Sequence, residues 1–260
     1  MQSRILTYTL LAFTLIVSAL LYAPLFVPIT ASFFAVENGE TAWNTPSLEA
    51  YFALMANAQI VGAFRVTLLV GCCVVVVSLF LGTLFALYRH AGKPGARFGE
   101  FLIFVPFVLP PIITGLSLLI FFRVVDFDRS IATIVIGHCV FVLAIVYRTI
   151  LSRLQSISVN LVEASLDLGA TRLQTFWRVI LPNLSSALIG AGILAFALSF
   201  DETLISILVT GNQSTLPVTL WAMMRVGFSP DVNALVALIL GITIIFCLLL
   251  SRLLLARRAS

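Results

Sequence analysis

Long apolar runs separated by short polar stretches dominate the chain. Six of them reach the length of about 20 mainly apolar residues that a bilayer crossing needs: residues 5–29, 61–88, 101–122, 130–151, 185–209 and 233–255. Because backbone groups inside hydrocarbon must pair within their own segment, continuous runs of this length predict helices. The pattern therefore predicts an all-α membrane protein with six transmembrane helices, forming one membrane domain over residues 1–260.

Composition leads to the same class of protein. The chain is 61% hydrophobic and 10% charged, with a mean hydropathy of +1.14, which excludes an ordinary soluble domain of this length. The four cysteines lie inside predicted spans, have no CxxC spacing, and are interpreted as small apolar core residues: Cys72, Cys73, Cys139 and Cys247. We therefore expect no disulfide, no metal and no cofactor.

The distribution of basic residues predicts the orientation, because cytoplasmic loops are enriched in lysine and arginine. With the N-terminus inside, eleven of the fifteen basic residues and only three of the eleven acids fall inside. Both termini are then cytoplasmic, and residues 30–60 form an external loop. This bias explains the net charge of +4, so a nucleic-acid partner is not needed.

A polar stretch between the fourth and fifth runs, residues 160–182, predicts two short helices. Asn160 and Glu163 have the spacing of a capping box, in which each side chain bonds the other residue's backbone. Thr171 and Gln174 repeat that spacing for the second helix. A helix–turn–helix is therefore predicted on the cytoplasmic side.

The two helices of this stretch are expected to meet at Gly169, because glycine takes a left-handed C-cap without a Cβ penalty. Pro182 is expected to stop the second helix or to bend the chain into the next span. The first helix has an apolar side that should dock on another surface, formed by Leu161, Val162, Leu166 and Leu168.

The third run contains three prolines within six residues, Pro106, Pro110 and Pro111. A straight, fully bonded helix cannot hold them all. Broken helices survive in membranes where neighbouring helices or a water-filled cavity satisfy the freed carbonyls. Pro110 and Pro111 are therefore candidates for lining a transport path, and a packing kink is the alternative.

Ionisable residues in predicted spans are functional candidates by default. Asp201 and Glu202 lie near the outer end of the fifth run, and they either line a path for a cationic solute or form a hydrated interfacial pair. His138 is more simply interpreted as a neutral histidine bonded to a neighbouring helix. No second histidine or HxxE spacing accompanies it.

Motifs for chemistry are absent from the sequence. No Walker A loop, GxSxG or HExxH pattern occurs, so no catalytic residue is assigned. Energy for moving a solute must therefore come from another protein.

The polar stretch resembles the EAA loop of binding-protein-dependent ABC importer permeases. Its matching parts are Glu163-Ala164-Ser165, then Gly169, then Ile180-Leu181-Pro182, with Ser165 in place of the second alanine. The resemblance implies a type I ABC importer permease fold whose loop docks on an ATPase. The residues it assigns to ATPase coupling are Glu163, Ala164, Ser165, Asp167, Gly169, Ala170, Leu181 and Pro182.

The blocks SFDETLISILVTG, TLPVTLW and SPDVNAL further resemble the second permease of spermidine/putrescine-type importers. This resemblance implies a bacterial inner membrane protein, a polyamine solute and alternating access. The implied partners are a cytoplasmic ATPase dimer, a second permease subunit, a periplasmic solute-binding protein and membrane lipid. The alternatives are another organic solute (an opine, a phosphonate or an amino-acid-like molecule), an ATP-independent secondary transporter, or a membrane-embedded enzyme.

Overall fold

The computed structural model describes residues 2–37, 40–226 and 232–245. Within these residues the chain is almost entirely helical, apart from one small β-hairpin. The helices are α1 (Gln2–Ala31), α2 (Glu49–Ala56), α3 (Ala58–His90), α4 (Ala96–Val108), α5 (Pro111–Val124), α6 (Ile131–Gln155), α7 (Val159–Asp167), α8 (Arg172–Thr175), α9 (Leu181–Asp201), α10 (Leu204–Val209), α11 (Leu216–Val226) and α12 (Val232–Ile245). The hairpin strands are β1 (Phe34–Glu37) and β2 (Glu40–Pro46).

Four helical segments are long and apolar enough to cross a membrane: Leu6–Ala31, Ala58–His90, Ile131–Gln155 and Arg172–Asp201. They correspond to the first, second, fourth and fifth predicted spans. The sixth is described only as the shorter apolar helix α12, and its predicted continuation over 246–255 lies outside the described residues.

The third predicted span is a bent pair of helices and not one helix over 101–122. The axes of α4 and α5 differ by 108° across a break at Leu109 and Pro110. Pro110 has an extended ψ of 134°, and Pro111 begins α5. Because proline lacks the N–H that a continuing helix needs, the chain leaves the helix here and restarts it at a position where proline is tolerated.

The fifth predicted span, 185–209, is wrong at both of its ends. Its helix is continuous from Arg172 to Asp201, so the second half of the polar stretch belongs to the span. The helix stops at Glu202, whose ψ of 109° is extended, and α10 follows as a separate short helix. Hydropathy cannot detect this break, because the apolar run continues on either side of it.

The described chain divides into two compact units. One comprises the described residues within 2–61 and 220–245, and the other comprises residues 62–219. In the first unit, the apolar side chains of α1 are exposed, with Leu20 exposed by 73%, as suits a surface for lipid or another subunit.

The hairpin of the first unit was not predicted from the sequence, which indicated only a loop there. Strands β1 and β2 pair in antiparallel register with Glu37 opposite Glu40. A sequence signal for it exists, since Asn38-Gly39 is the dipeptide most typical of two-residue hairpin turns. The hydroxyls of Ser32 and Tyr51 lie 2.7 Å apart nearby.

The second unit is built around α6. This helix is buried along much of its length, through Ile134, Val142, Tyr147, Ile150 and Leu151 among others. Glycines on the neighbouring helix α3 allow close packing, since a methyl group at Gly82 would lie 2.8 Å from Val146 Cγ1. The core interpretation of the cysteines holds for Cys139 and is wrong for Cys72 and Cys73, which are exposed on α3; Cys247 lies outside the described residues.

Candidate functional site

The stretch that resembles an EAA loop begins one turn after α6 ends. Helix α7 starts at Val159 with Ser158 at its N-cap position, and no side-chain bond caps it. The predicted capping box of Asn160 and Glu163 is therefore wrong, because Asn160 already lies inside the helix. Ser158 takes the position that the sequence analysis gave to Asn160.

Gly169 closes α7 as predicted, and the geometry is that of a Schellman motif. Its φ is +83°, in the left-handed region. The N–H of Gly169 donates to the Leu166 carbonyl at 2.9 Å, and the N–H of Ala170 donates to the Ser165 carbonyl at 3.1 Å. These are the two bonds that define the motif, and they satisfy carbonyls that the helix end would leave unpaired.

The second predicted capping box is confirmed. The N–H of Gln174 donates to Thr171 Oγ1 at 3.3 Å, while the N–H of Thr171 donates to Gln174 Oε1 at 2.8 Å. A π-helical turn over Phe176–Ile180 then leads into α9. Pro182 does not stop the second helix, because it lies in the first turn of α9, immediately after the wider turn.

The segment from Val159 to Pro182, with its turn at Gly169, is called the elbow here, and Ser165, the departure from the family pattern, has a defined role in it. Its Oγ lies 2.9 Å from Thr175 Oγ1, so a side-chain bond joins α7 to α8 across the turn. Thr175 is 2% exposed. The serine thus supplies a partner for a buried hydroxyl that alanine would leave unbonded.

Most of the other side chains of the elbow are exposed. Glu163, Ala164 and Asp167 are exposed, whereas Ala170 and Leu181 are partly buried. Large apolar side chains are also exposed there, namely Leu161, Leu166, Leu168, Leu173 and Trp177. An exposed apolar surface on a polar helix pair is typical of a docking site for another protein.

Charged residues predicted to lie on the same side of the membrane meet in the structure. Glu100 on α4 accepts a hydrogen bond from Arg89 Nε on α3 at 2.9 Å, and Arg148 on α6 lies 3.9 Å away. Arg153 donates through Nε to the Asn183 carbonyl at 2.9 Å, which connects α6 to the start of α9. These contacts place the basic C-terminal parts of α3 and α6 in one layer with the start of α9.

The proline break of the third span and the start of α10 lie on helices that pack together. Gly115, one turn into α5, is buried, and a methyl group there would lie 3.1 Å from Ile205 Cα and 3.6 Å from the Leu204 carbonyl oxygen. Pro110 is exposed and Pro111 is partly buried at the beginning of the same helix. The helix that begins at the proline break therefore packs against α10, the helix that follows Asp201 and Glu202.

Asp201 and Glu202 occupy the break between α9 and α10. Asp201 is exposed, and Glu202 is partly buried. Glu202 Oε1 accepts a hydrogen bond from the Ile205 N–H at 2.9 Å, so this carboxylate also caps α10. Within the described residues neither acid forms an ion pair, which leaves two carboxylates without a basic neighbour.

His138 is bonded to neighbouring helices, as the sequence analysis favoured, but its partners could not be foreseen. Its side chain is fully buried, with Nδ1 2.8 Å from Ser199 Oγ and Nε2 2.7 Å from Ser206 Oγ. One serine lies before the α9–α10 break and the other after it. No local pattern marks this pair, because the partners are 61 and 68 residues away in sequence.

Beyond α10, a groove of about 840 Å³ opens at the end of the spans opposite the elbow. Its polar lining comes from the loop before α6 and the turn after α10, and includes Asp128, Arg129, Ser130, Thr210, Asn212 and Gln213. Gly211 packs so closely on the Arg129 carbonyl that no side chain fits there. The two loops are therefore held together.

Similarity to known proteins agrees with this architecture. The family described as "Binding-protein-dependent transport system inner membrane component" matches residues 78–260. The chain belongs to this family. It is 35% identical over 230 residues to the putrescine transport system permease protein PotI of Escherichia coli strain K12, covering 85% of this chain and 82% of that protein. It is 31% identical over 232 residues to the spermidine/putrescine transport system permease protein PotC of the same strain, covering 87% and 86%.

A solved structure supports the fold. The crystal structure of a bacterial alginate ABC transporter in complex with an alginate pentasaccharide-bound periplasmic protein matches with a TM-score of 0.75, over 96% of this chain and 93% of that chain. The identity is 14%, so the likeness concerns the fold alone. The protein is thus a multi-pass inner membrane permease with the type I ABC importer fold, and its relatives are transport subunits and not enzymes.

Proposed function

We propose that this permease imports a polyamine of the putrescine and spermidine class. One observation carries the proposal: Asp201 and Glu202 lie at a helix break without a basic partner among the described residues. Asp201 is exposed and Glu202 is partly buried beside it, so the break presents two carboxylates with no ion-pair partner among the described residues, and their negative charge favours a cationic solute. Similarity to putrescine and spermidine permeases supports the same solute class.

The coupling site in this proposal is the elbow from Val159 to Pro182. Its exposed apolar side chains fit a groove in a cytoplasmic ATPase, and Glu163 and Asp167 add exposed charge to the same surface. The Schellman turn at Gly169 and the capping box of Thr171 fix the angle between the two helices. Because α9 continues directly from α8, a push on the elbow reaches Asp201 through one continuous helix.

The orientation follows from the layer of basic residues, which belongs on the cytoplasmic side with the elbow and both termini. The groove beside Arg129 then faces the periplasm and is the proposed contact for the solute-binding protein. A second permease subunit completes the path, and ATP binding to an ATPase dimer drives the pair between outward-open and inward-open states. Pro110 and Pro111 help to form the path by ending α4 beside it.

Uptake into proteoliposomes tests the proposal. The complete importer is reconstituted with its binding protein, and labelled putrescine, spermidine, sulfate and a neutral amino acid are compared. We expect ATP-dependent uptake of the two polyamines, reduced about tenfold or more in Asp201→Asn and Glu202→Gln, since a bond to a charged group contributes about 1.5–3 kcal/mol. Glu40→Gln, an exposed acid on strand β2, is the matched control and should leave uptake unchanged.

The same assay separates the alternatives. Uptake of an anionic or neutral solute that both substitutions leave unchanged would keep the permease assignment and remove the polyamine. Accumulation that needs an ion gradient and no ATP would indicate a secondary transporter.

A further inference from the structure

The α9–α10 break is bridged by one buried side chain. Ser199 lies in the last turn of α9 and Ser206 in the first turn of α10, and between them Glu202 and Thr203 are not helical. His138 contacts both hydroxyls, at 2.8 and 2.7 Å, from the middle of α6. A neutral imidazole has one donor and one acceptor nitrogen, and each serine can fill either role, so both ring nitrogens are satisfied.

Helix α10 is held by apolar packing on α5 and α6 and by a few polar bonds to α6. It has only six residues, far below the length at which a helix is stable by itself. Its remaining polar anchor on α6 is at the other end, where Thr133 Oγ1 lies 2.7 Å from the Val209 carbonyl oxygen. The angle at which α10 leaves the break therefore depends on these two polar anchors on α6 together with the packing against Gly115 of α5.

We propose that His138 is a positioning residue, which holds Asp201 and Glu202 in the geometry that receives the solute. The proposal rests on the polyamine path described above. Glu202 caps α10 through Ile205, so a rotation of α10 moves this carboxylate directly. A rigid ring bonded at both ends restricts that rotation more than a single hydroxyl pair would, and burial keeps competing water away.

The first experiment measures putrescine transported per ATP hydrolysed in the reconstituted importer. Ser206→Ala removes one anchor and keeps the ring, His138→Ala removes both, and His138→Gln offers an amide donor and acceptor in its place. The matched control is Thr149→Val, also on α6, whose hydroxyl donates to the Ile145 carbonyl of its own helix. We expect the ratio to fall about tenfold in His138→Ala, less in Ser206→Ala, and to recover in part in His138→Gln.

A purely structural role predicts a different result. Loss of folded complex lowers uptake and ATP hydrolysis together and leaves their ratio unchanged. A positioning role also predicts non-additivity, because residues that act through one group are coupled. When Glu202→Gln is already present, adding His138→Ala should therefore lower the ratio of putrescine transported to ATP hydrolysed by less than about twofold. An unchanged ratio, or a full further loss in that background, would overturn the proposal.

A second measurement does not depend on the solute. Thr203→Cys is placed in a chain whose native cysteines are replaced, and its labelling rate with a water-soluble maleimide is compared with and without Ser206→Ala. We expect the labelling rate to change by about fivefold or more. A tenfold change in the fraction of time that the cysteine is accessible corresponds to about 1.4 kcal/mol, which is close to the energy of one hydrogen bond. Equal rates would refute positioning by His138. If the wild-type importer takes up no putrescine, the proposed solute fails while this measurement still decides the role of His138.

Discussion

Gly169 allows the sharpest test of the coupling role proposed for the elbow, because the energetic cost of substituting this glycine comes from backbone strain alone. At φ +83° an L-residue is strained, by about 1–2 kcal/mol for a single left-handed position. Apart from the adjoining residues, no group of the part of the chain that the structure describes lies within 4 Å of where a Cβ would stand, so no clash there adds to this cost. Side-chain size alone should therefore matter little in this protein.

Three substitutions at Gly169 follow an order set by the backbone. Asn tolerates the left-handed region better than other L-residues, Ala carries the full strain, and Pro cannot reach a positive φ. Pro also deletes the N–H that donates to the Leu166 carbonyl at 2.9 Å. We expect coupling to fall in the order Asn, Ala, Pro, with Ala reduced about tenfold if the strain of about 1.4 kcal/mol acts fully on the elbow.

The assay is ATP hydrolysis stimulated by solute-loaded binding protein, in the reconstituted complex. Gly95→Ala is the matched control, because Gly95 has a φ of +76° and open space but lies in the loop before α4. It should cost similar strain without loss of coupling. An Asn variant that couples worse than the Ala variant would refute the backbone argument, since it would show that the side chain's bulk meets the ATPase.

Two further predictions concern packing and polar pairing in the same unit. Ser165→Ala should lower the thermal midpoint of the complex, because it leaves the buried Thr175 hydroxyl unbonded. Adding Thr175→Val should recover part of the roughly 1 kcal/mol of stability that is lost. No recovery in the double variant would contradict the role of this hydrogen bond. Gly137→Ala should destabilise the complex by about 1–3 kcal/mol, since the new methyl would lie 2.7 Å from Ile205 Cγ2. Gly190→Ala has no such neighbour and should be neutral or stabilising in the same thermal assay, and equal midpoints for these two variants would refute the packing argument.

Local signals in the elbow were sufficient to predict most of its structure. The capping box of Thr171 and Gln174 and the turn at Gly169 depend on residues within a few positions of each other, and both are present. The prediction that Asn160 is the N-cap of the first helix was wrong for a local reason as well. Ser158 is an equally good cap residue two positions earlier, and the sequence does not rank the two.

Features that depend on distant contacts were not predictable in the same way. The role of Ser165 follows from Thr175, which a helix–turn–helix must first bring close. Helix α10 packs against Gly115 on α5 and Gly137 on α6, and neither glycine has a sequence neighbour that indicates this contact. Hydropathy gives the number of apolar runs well, but it gives their ends poorly wherever a polar stretch continues a helix.

The two breaks in the spans differ in what causes them, and this difference explains why only one was predicted. At Pro110 and Pro111 the covalent ring removes a backbone donor, so the break follows from the sequence whatever surrounds it. At Glu202 and Thr203 no proline is present, and the segment after the break is bonded to α6 through His138 and Thr133. Removing the side chains of α6 can therefore change the second break, whereas the first persists until the prolines themselves are replaced.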